Sequence, residues 1–237
     1  MKRFIFLLCI LGLCVASCEY DNYAAPQSRL HGYLEFEGDT LILSSHDSYI
    51  ELWEEGDWPK REAIKVYFNN KGEFTQLLFN SDYKMVIPAS VRPFVITDSR
   101  FVNDTMRVNV KGDTELKISV RPYYVVENET YEFDKATNKM KAHCVVRPVE
   151  AKDASKMDIV RCYVGKSEGF IHGYHMTYQT YNANNIPSKS ISDVQFNTAA
   201  LAMNTVHQQD NLYCRIFVKV KNINNFVSTK TTAVPFK

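Results

Sequence analysis

Residues 105–120, which read TMRVNVKGDTELKISV, decide the fold class. Apolar side chains alternate with polar ones on both sides of the turn formed by residues 111–113. This period of two is typical of β-strands with one buried face, and the glycine at the turn predicts a hairpin. The inward positions are Met106, Val108 and Val110 before the turn, and Leu116, Ile118 and Val120 after it.

The same alternation continues on both sides of this stretch. Residues 69–72 (NNKG) and 80–82 (NSD) also predict hairpin turns. The pattern breaks around residues 121–123, where we place a domain boundary, and about seven further strands follow. The sequence predicts an all-β chain of two tandem β-sandwich domains, residues 30–122 and residues 123–237.

The N-terminus predicts export and lipid anchoring. Lys2 and Arg3 precede an apolar run that ends in VASC at residues 15–18, which resembles the lipobox of bacterial lipoproteins. Residues 1–17 are then the signal peptide, Cys18 is the lipidated residue, and residues 18–29 hold the lipid and a tether. The acidic residues Glu19 and Asp21 resemble the surface-export signal of Bacteroidetes lipoproteins.

Composition argues against several functions. Removal of the signal peptide takes the formal net charge from +1 to about −1, so nothing predicts nucleic-acid binding. There is no G-x-S-x-G, P-loop, G-x-G-x-x-G, H-E-x-x-H or C-x-x-C motif. His172 and His175 form an H-x-x-H with no further ligand near in sequence. We therefore predict no enzyme activity, no cofactor and no metal site.

Three cysteines, Cys144, Cys162 and Cys214, remain in the mature chain besides Cys18. Each falls in phase with apolar neighbours, which favours buried free thiols that pack as small apolar side chains. One disulfide, with Cys162 and Cys214 as partners, and a metal site remain alternatives at this point.

Two aromatic groups are candidates for glycan binding, because the apolar face of a sugar ring stacks on an aromatic ring. One surrounds the two tryptophans in ELWEEGDWPKRE (residues 51–62), and the other lies in residues 174–181. For the tryptophans the alternative is that Trp58 covers an edge of the core or that Trp53 packs against the second domain. For the tyrosines the alternative is packing on a sheet face. The candidate glycan-binding residues are Trp53, Glu55, Asp57, Trp58, Tyr174 and Tyr178.

Two threonines are candidates for O-glycosylation. Asp39-Thr40-Leu41 and Asp104-Thr105-Met106 resemble the D-[ST]-aliphatic motif that Bacteroidetes glycosylate in exported proteins. The sequence therefore predicts Thr40 and Thr105 as modified residues.

The first predicted domain resembles the carboxypeptidase-regulatory, transthyretin-like sandwich. Gly32 and the segments IEL (50–52), NKGEF (70–74) and DYKM (82–85) follow the order of that family's G-x-V, D-x-x-G-x-F and G-x-Y-x-L pattern. The family module is an accessory domain, so the resemblance implies a fold and no catalysis. NLYCRIFVKVKNINNF (211–226) is similar to the penultimate strand of fibronectin type III modules and implies an immunoglobulin-like second domain.

A wider resemblance covers nearly the whole chain. Segments such as CEYDNYAAP (18–26), IKVYFNNKGEF (64–74) and VRPYYVVENETY (120–131) resemble a Bacteroidetes lipoprotein family of unknown function. Its members are encoded beside the transporter and glycan-binding lipoprotein of polysaccharide-uptake systems. The resemblance implies a glycan-uptake setting at the cell surface. Together with the lipobox, the acidic residues and the two sandwiches, it predicts a non-catalytic lipoprotein on the outer face of the outer membrane that binds glycan and contacts those two proteins. The alternative is a structural scaffold or fimbria-like adhesion subunit.

Overall fold

A computed structural model describes residues 24–44, 47–57, 62–150, 156–169, 175–183, 192–201 and 211–235. Across these residues the chain forms two β-sandwiches in tandem, each made of two sheets. The predicted fold class is confirmed. Strands β1–β9 build the first sandwich and β10–β17 build the second, with Tyr123 between β9 and β10.

The first sandwich packs a five-stranded sheet against a four-stranded one. The five-stranded sheet has the order β2-β1-β9-β7, with β5 on the other side of β1, and the second has the order β4-β3-β6-β8. The strands are β1 (Ser28–Phe36), β2 (Asp39–Thr40), β3 (Tyr49–Glu54), β4 (Ile64–Tyr67), β5 (Glu73–Leu78), β6 (Ser81–Val86), β7 (Phe94–Ile96), β8 (Thr105–Val110) and β9 (Asp113–Pro122), with a 3-10 turn at Ala89–Val91.

The second sandwich packs a three-stranded sheet against a five-stranded one. Their orders are β10-β11-β14 and β13-β12-β15-β16, with β17 also paired to β15. The strands are β10 (Tyr124–Asp134), β11 (Lys139–Pro148), β12 (Met157–Gly165), β13 (Thr177–Asn182), β14 (Ser192–Asn197), β15 (Asn211–Val220), β16 (Phe226–Ser228) and β17 (Thr232–Pro235).

The alternation read from the sequence places the core residues. In β8, Met106, Val108 and Val110 are buried, while the residues between them point outward. Ile50 and Leu52 of β3 are likewise inaccessible to solvent. These side chains belong to one cluster that fills the space between the two sheets of the first sandwich.

The turns predicted as hairpins join different sheets. Residues 111–113 lead from β8, which pairs with β6, to β9, which pairs with β1 and β7. Residues 80–82 similarly link β5 of one sheet to β6 of the other. At residues 69–72 only the single antiparallel bridge between Phe68 and Phe74 forms before the strands diverge. The hairpin prediction was therefore wrong at residues 80–82 and 111–113, and at residues 69–72 it holds only for that one bridge. Turn residues and alternation report a chain reversal and a buried face, and neither reports which strand is the partner.

A strand-like pairing joins the two sandwiches. The Ser44 amide donates to Phe226 O at 3.0 Å and the Ser228 amide donates to Ile42 O at 2.9 Å, around an antiparallel bridge between Leu43 and Val227. Residues 42–44 of the first sandwich thus extend the sheet of β16. Val227 packs into the core of the first sandwich.

The cysteines of the second sandwich are free and buried. Cys144 and Cys162 pack in its main core, and Cys214 packs in an adjoining cluster. The interpretation as buried free thiols is confirmed, and the alternative of a Cys162–Cys214 disulfide is not what the structure contains.

Candidate functional site

Trp53 lies on the outward face of the β4-β3-β6-β8 sheet. Because Ile50 and Leu52 point into the core, Tyr49, Glu51 and Trp53 point away from it, and each is half-buried. Neighbouring strands add charged and aromatic side chains to the same surface. We call this surface the β3 face; its residues are Tyr49, Glu51, Trp53, Lys65, Tyr67, Lys84 and Arg107.

One row of the β3 face crosses three strands. Trp53 pairs in register with Lys84 of β6, and Lys84 pairs with Arg107 of β8. Directly paired residues have Cβ atoms about 5 Å apart, so the row runs about 10 Å from Cβ of Trp53 to Cβ of Arg107. An aromatic plane is therefore followed by two cationic hydrogen-bond donors.

Glu55 lies at the end of this row, just after β3. Its carboxylate forms an ion pair with Arg107 at 3.1 Å, and its amide donates to Asp82 O at 2.9 Å. Asp82 in turn accepts a hydrogen bond from Asn109 Nδ2 at 2.7 Å. The indole, the Glu55 carboxylate and the basic groups thus share one open surface.

The other end of the β3 face holds two tyrosines. The rings of Tyr49 and Tyr67 lie 5.6 Å apart, and the Lys65 ammonium sits 4.7 Å from the centre of the Tyr49 ring. Tyr67 is half exposed. Tyr49 and Trp53 are four residues apart on one strand, which separates them by about 13 Å.

Residues on the inner side of the same sheet support the β3 face. Tyr83 of β6 is buried and its hydroxyl donates to Phe79 O at 3.1 Å. Burial, with a smaller contribution from the charge of Glu54, raises the pKa of Tyr83 to about 12. The hydroxyl therefore stays protonated and keeps this hydrogen bond at neutral pH.

Tyr178 belongs to a second aromatic cluster, on the β13-β12-β15-β16 sheet. Its ring, 48% exposed, lies 5.6 Å from Tyr163 and 4.8 Å from His175. The Arg161 guanidinium stands 5.2 Å from the centre of the Tyr178 ring and donates to the Tyr163 hydroxyl at 2.8 Å. Tyr178 and Trp53 are therefore in different sandwiches and do not form one site.

The remaining predicted residues have these positions. Asp57 is exposed beyond the end of β3. Thr40 in β2 and Thr105 at the start of β8 are half-buried, each followed by a buried apolar residue. Cys18, Trp58 and Tyr174, together with His172, lie outside the described residues.

Sequence reasoning missed the basic partners, Lys84, Arg107 and Arg161. Arg107 lies far along the chain from Trp53, and only the pairing of β3 with β6 and of β6 with β8 brings the two together. The outward phase of Arg107 between Met106 and Val108 was visible in the sequence. Its neighbours were not.

The described part of the chain contains no group of three or more histidine, cysteine, aspartate or glutamate side chains arranged to hold a metal ion. Within the same residues, no helix has the length and apolarity needed to cross a membrane.

The fold and the β3 face define a two-sandwich protein with an open aromatic and charged surface. Residues 28–121, almost the whole first sandwich, match the family model described as "Protein of unknown function (DUF3823) N-terminal domain". No curated protein matches the chain.

Solved structures share the complete architecture. A DUF3823 family protein from Bacteroides ovatus is 23% identical, with a TM-score of 0.69 over 90% of this chain and 100% of its own. A second one, from Parabacteroides merdae, is 20% identical, with a TM-score of 0.71 over 89% and 100%. A Bacteroides uniformis protein provisionally described as carbohydrate binding is 17% identical, with a TM-score of 0.64 over 89% and 100%. At these identities the likeness concerns the fold.

Proposed function

We propose that this protein is a non-catalytic, lipid-anchored protein of the bacterial outer membrane that binds glycan on its β3 face. The observation that carries the proposal is the half-buried indole of Trp53 on an outward sheet face, in register with Lys84 and on the same face as the Glu55–Arg107 ion pair. Such a surface combines an apolar plane with donors and acceptors for hydroxyl groups.

The shape of the β3 face suits a chain rather than a single sugar. Aromatic rings stand at both ends of β3, and the surface is a sheet face rather than an enclosed pocket. Successive sugar rings of a polysaccharide can stack at the two ends. Charged groups between them can bond hydroxyls.

The proposed location rests on the N-terminal sequence. The lipobox at residues 15–18 and the acids at Glu19 and Asp21 favour a lipid anchor and the outer surface. A lipid on Cys18 would tether the first sandwich through residues 19–27. Contact with a transporter and its partner glycan-binding lipoprotein belongs to the same proposal. The similar protein from Bacteroides uniformis that is described as carbohydrate binding supports only the glycan-binding part of the proposal.

Retention on polysaccharides tests the proposal. The soluble form, residues 19–237, is run through native gels containing single polysaccharides. Removing the indole by Trp53→Ala should weaken retention about fivefold to tenfold, since the stacking contribution is lost. Phe79→Ala is the matched control, because Phe79 is an exposed aromatic residue outside the β3 face.

Equal retention of Trp53→Ala and the parent protein on a polysaccharide that both bind would remove the site from the β3 face. Failure to bind any polysaccharide, with transporter proteins recovered in co-purification, would replace glycan binding by a scaffold function.

A further inference from the structure

A cleft of about 520 Å³ opens at the junction of the two sandwiches. The turn after β4 supplies Asn70 and Lys71, the loop after β12 supplies Glu168 and Gly169, and the segment between β16 and β17 supplies Lys230. Asn70 Nδ2 donates to Gly169 O at 2.7 Å and so closes one end of the cleft. Lys71, Glu168 and Lys230 are exposed to solvent.

A buried arginine lies behind Asn70, one of the residues that line the cleft. Arg215 of β15 is 1% exposed, and its Nη1 lies 3.5 Å from Oδ1 of Asn70. Its Nε donates to Thr229 O at 3.2 Å and its Nη2 donates to the Ser228 hydroxyl. The guanidinium also stacks 5.0 Å from the centre of the Phe217 ring. All of these partners are neutral.

The charge of Arg215 is therefore not neutralised within the described part of the chain, where no carboxylate forms an ion pair with it. Burial lowers the pKa of Arg215 to about 10, which leaves the group charged at neutral pH. A buried charge without a counter-charge is costly, because low polarity around it strengthens its field and offers no compensation. The charge of Arg215 therefore makes the electrostatic potential more positive in the adjoining cleft, on the other side of the Asn70 side chain.

We propose that this cleft binds the carboxylate of an acidic sugar, a uronic acid unit within a saccharide. Lys71 and Lys230 make the direct contacts, and Arg215 contributes positive potential from behind Asn70. Two lysines and one acid, Glu168, line the cleft, and Arg215 adds a third positive charge behind it, so an anion is favoured over a cation. The choice of a sugar as the carrier of the carboxylate rests on the proposed function, while the site itself is distinct from the β3 face.

Glu168 provides a test of opposite sign, because its negative charge repels the carboxylate of the proposed ligand. Replacing it with a neutral isostere should strengthen the binding of an acidic sugar and leave a neutral one unaffected. Removing the Lys230 side chain should weaken the binding of the acidic sugar and leave that of the neutral sugar unchanged. Loss of one charged hydrogen bond weakens binding by about tenfold, and removal of one repulsive charge strengthens it by a smaller factor.

The experiment compares trigalacturonic acid with galactotriose, the neutral counterpart of equal length, by calorimetric titration of residues 19–237 in low salt. We expect Lys230→Ala to weaken trigalacturonic acid binding about tenfold and Glu168→Gln to tighten it severalfold. Lys221→Ala, an exposed lysine outside the cleft, should leave the affinity unchanged. Raising the salt concentration should weaken the acidic ligand only.

Absence of trigalacturonic acid binding, or binding that Lys230→Ala leaves intact, would overturn the inference. A Trp53→Ala variant run in parallel separates it from the proposed function. Loss of polysaccharide retention in Trp53→Ala with no acid-dependent binding would uphold the β3 face and reject the cleft.

Discussion

At the scale of single residues, the buried cysteines follow from their phase in the strands. Each alternates with apolar neighbours, and each packs in the interior of the second sandwich. Burial raises the pKa of Cys144 and of Cys214 to about 12, and that of Cys162 well above its ordinary value. Because the thiolate is the reactive form, folding should protect all three.

This protection gives a prediction for thiol titration. In residues 19–237 at pH 8, a disulfide reagent that reports free thiols should react with none of the cysteines while the protein is folded. After denaturation it should titrate Cys144, Cys162 and Cys214. Reaction of the folded protein within minutes, or fewer thiols after denaturation, would contradict the buried free state.

At the scale of elements, one glycine sets the distance between β1 and β9. These strands pair in parallel, with Gly32 opposite Leu116. A Cβ added at Gly32 would come within 1.8 Å of Leu116 O and 3.0 Å of the Phe74 ring. No such contact is possible between real atoms, so only glycine permits this approach. The resemblance in sequence marked Gly32, but its physical reason lies in the packing.

Gly32→Ala should therefore destabilise the first sandwich by about 3 kcal/mol or more, because the backbone of β9 cannot yield as a side chain would. Gly38→Ala is the control. Gly38 has a φ of +87° and open space around it, so only backbone strain of about 1 kcal/mol is expected there. Chemical denaturation of the two variants measures the difference. Equal losses at both positions would show that the close approach does not constrain β1.

At the scale of the whole molecule, the two sandwiches share structure across their junction. Residues 42–44 pair with β16, and Val227 belongs to the core of the first sandwich although it lies in the second. Asn225, also buried, donates from Nδ2 to Val91 O at 2.7 Å. Unfolding of one half therefore exposes buried groups of the other.

Tryptophan fluorescence can detect this coupling, because both tryptophans of the chain, Trp53 and Trp58, precede residue 122. Val227→Ala should lower the free energy of unfolding reported by these tryptophans by about 2 kcal/mol, through lost burial in the core of the first sandwich. Val102→Ala is the matched control, since Val102 is 68% exposed.

An unchanged tryptophan transition in Val227→Ala would mean that the first sandwich folds without help from β16. A shift of similar size in Val102→Ala would mean that the loss does not arise from burial.

The candidate site was only partly predictable. The phase of β3 placed Trp53 on the outward surface, and Glu55 was visible in the sequence two residues further along the chain. Lys84 and Arg107 entered only through strand pairing. Tyr178 lies in the second sandwich, where the sequence placed the second aromatic group. Arg215 offered no signal at all, because an arginine between apolar residues of a strand predicts an outward, solvated side chain.

The sequence by itself determined which side chains face the core and that the chain folds as two β-sandwiches. The first follows from local alternation, since a strand buries every second side chain whatever strand lies next to it. The second follows from the number of strands and from the break in the pattern around residues 121–123. Only the tertiary structure decided that the turns at residues 69–72, 80–82 and 111–113 cross between sheets, that β16 pairs with residues 42–44, and that Arg215 is buried beside a cleft. These features depend on contacts between segments distant in the chain, and a pattern of period two is identical for every choice of partner.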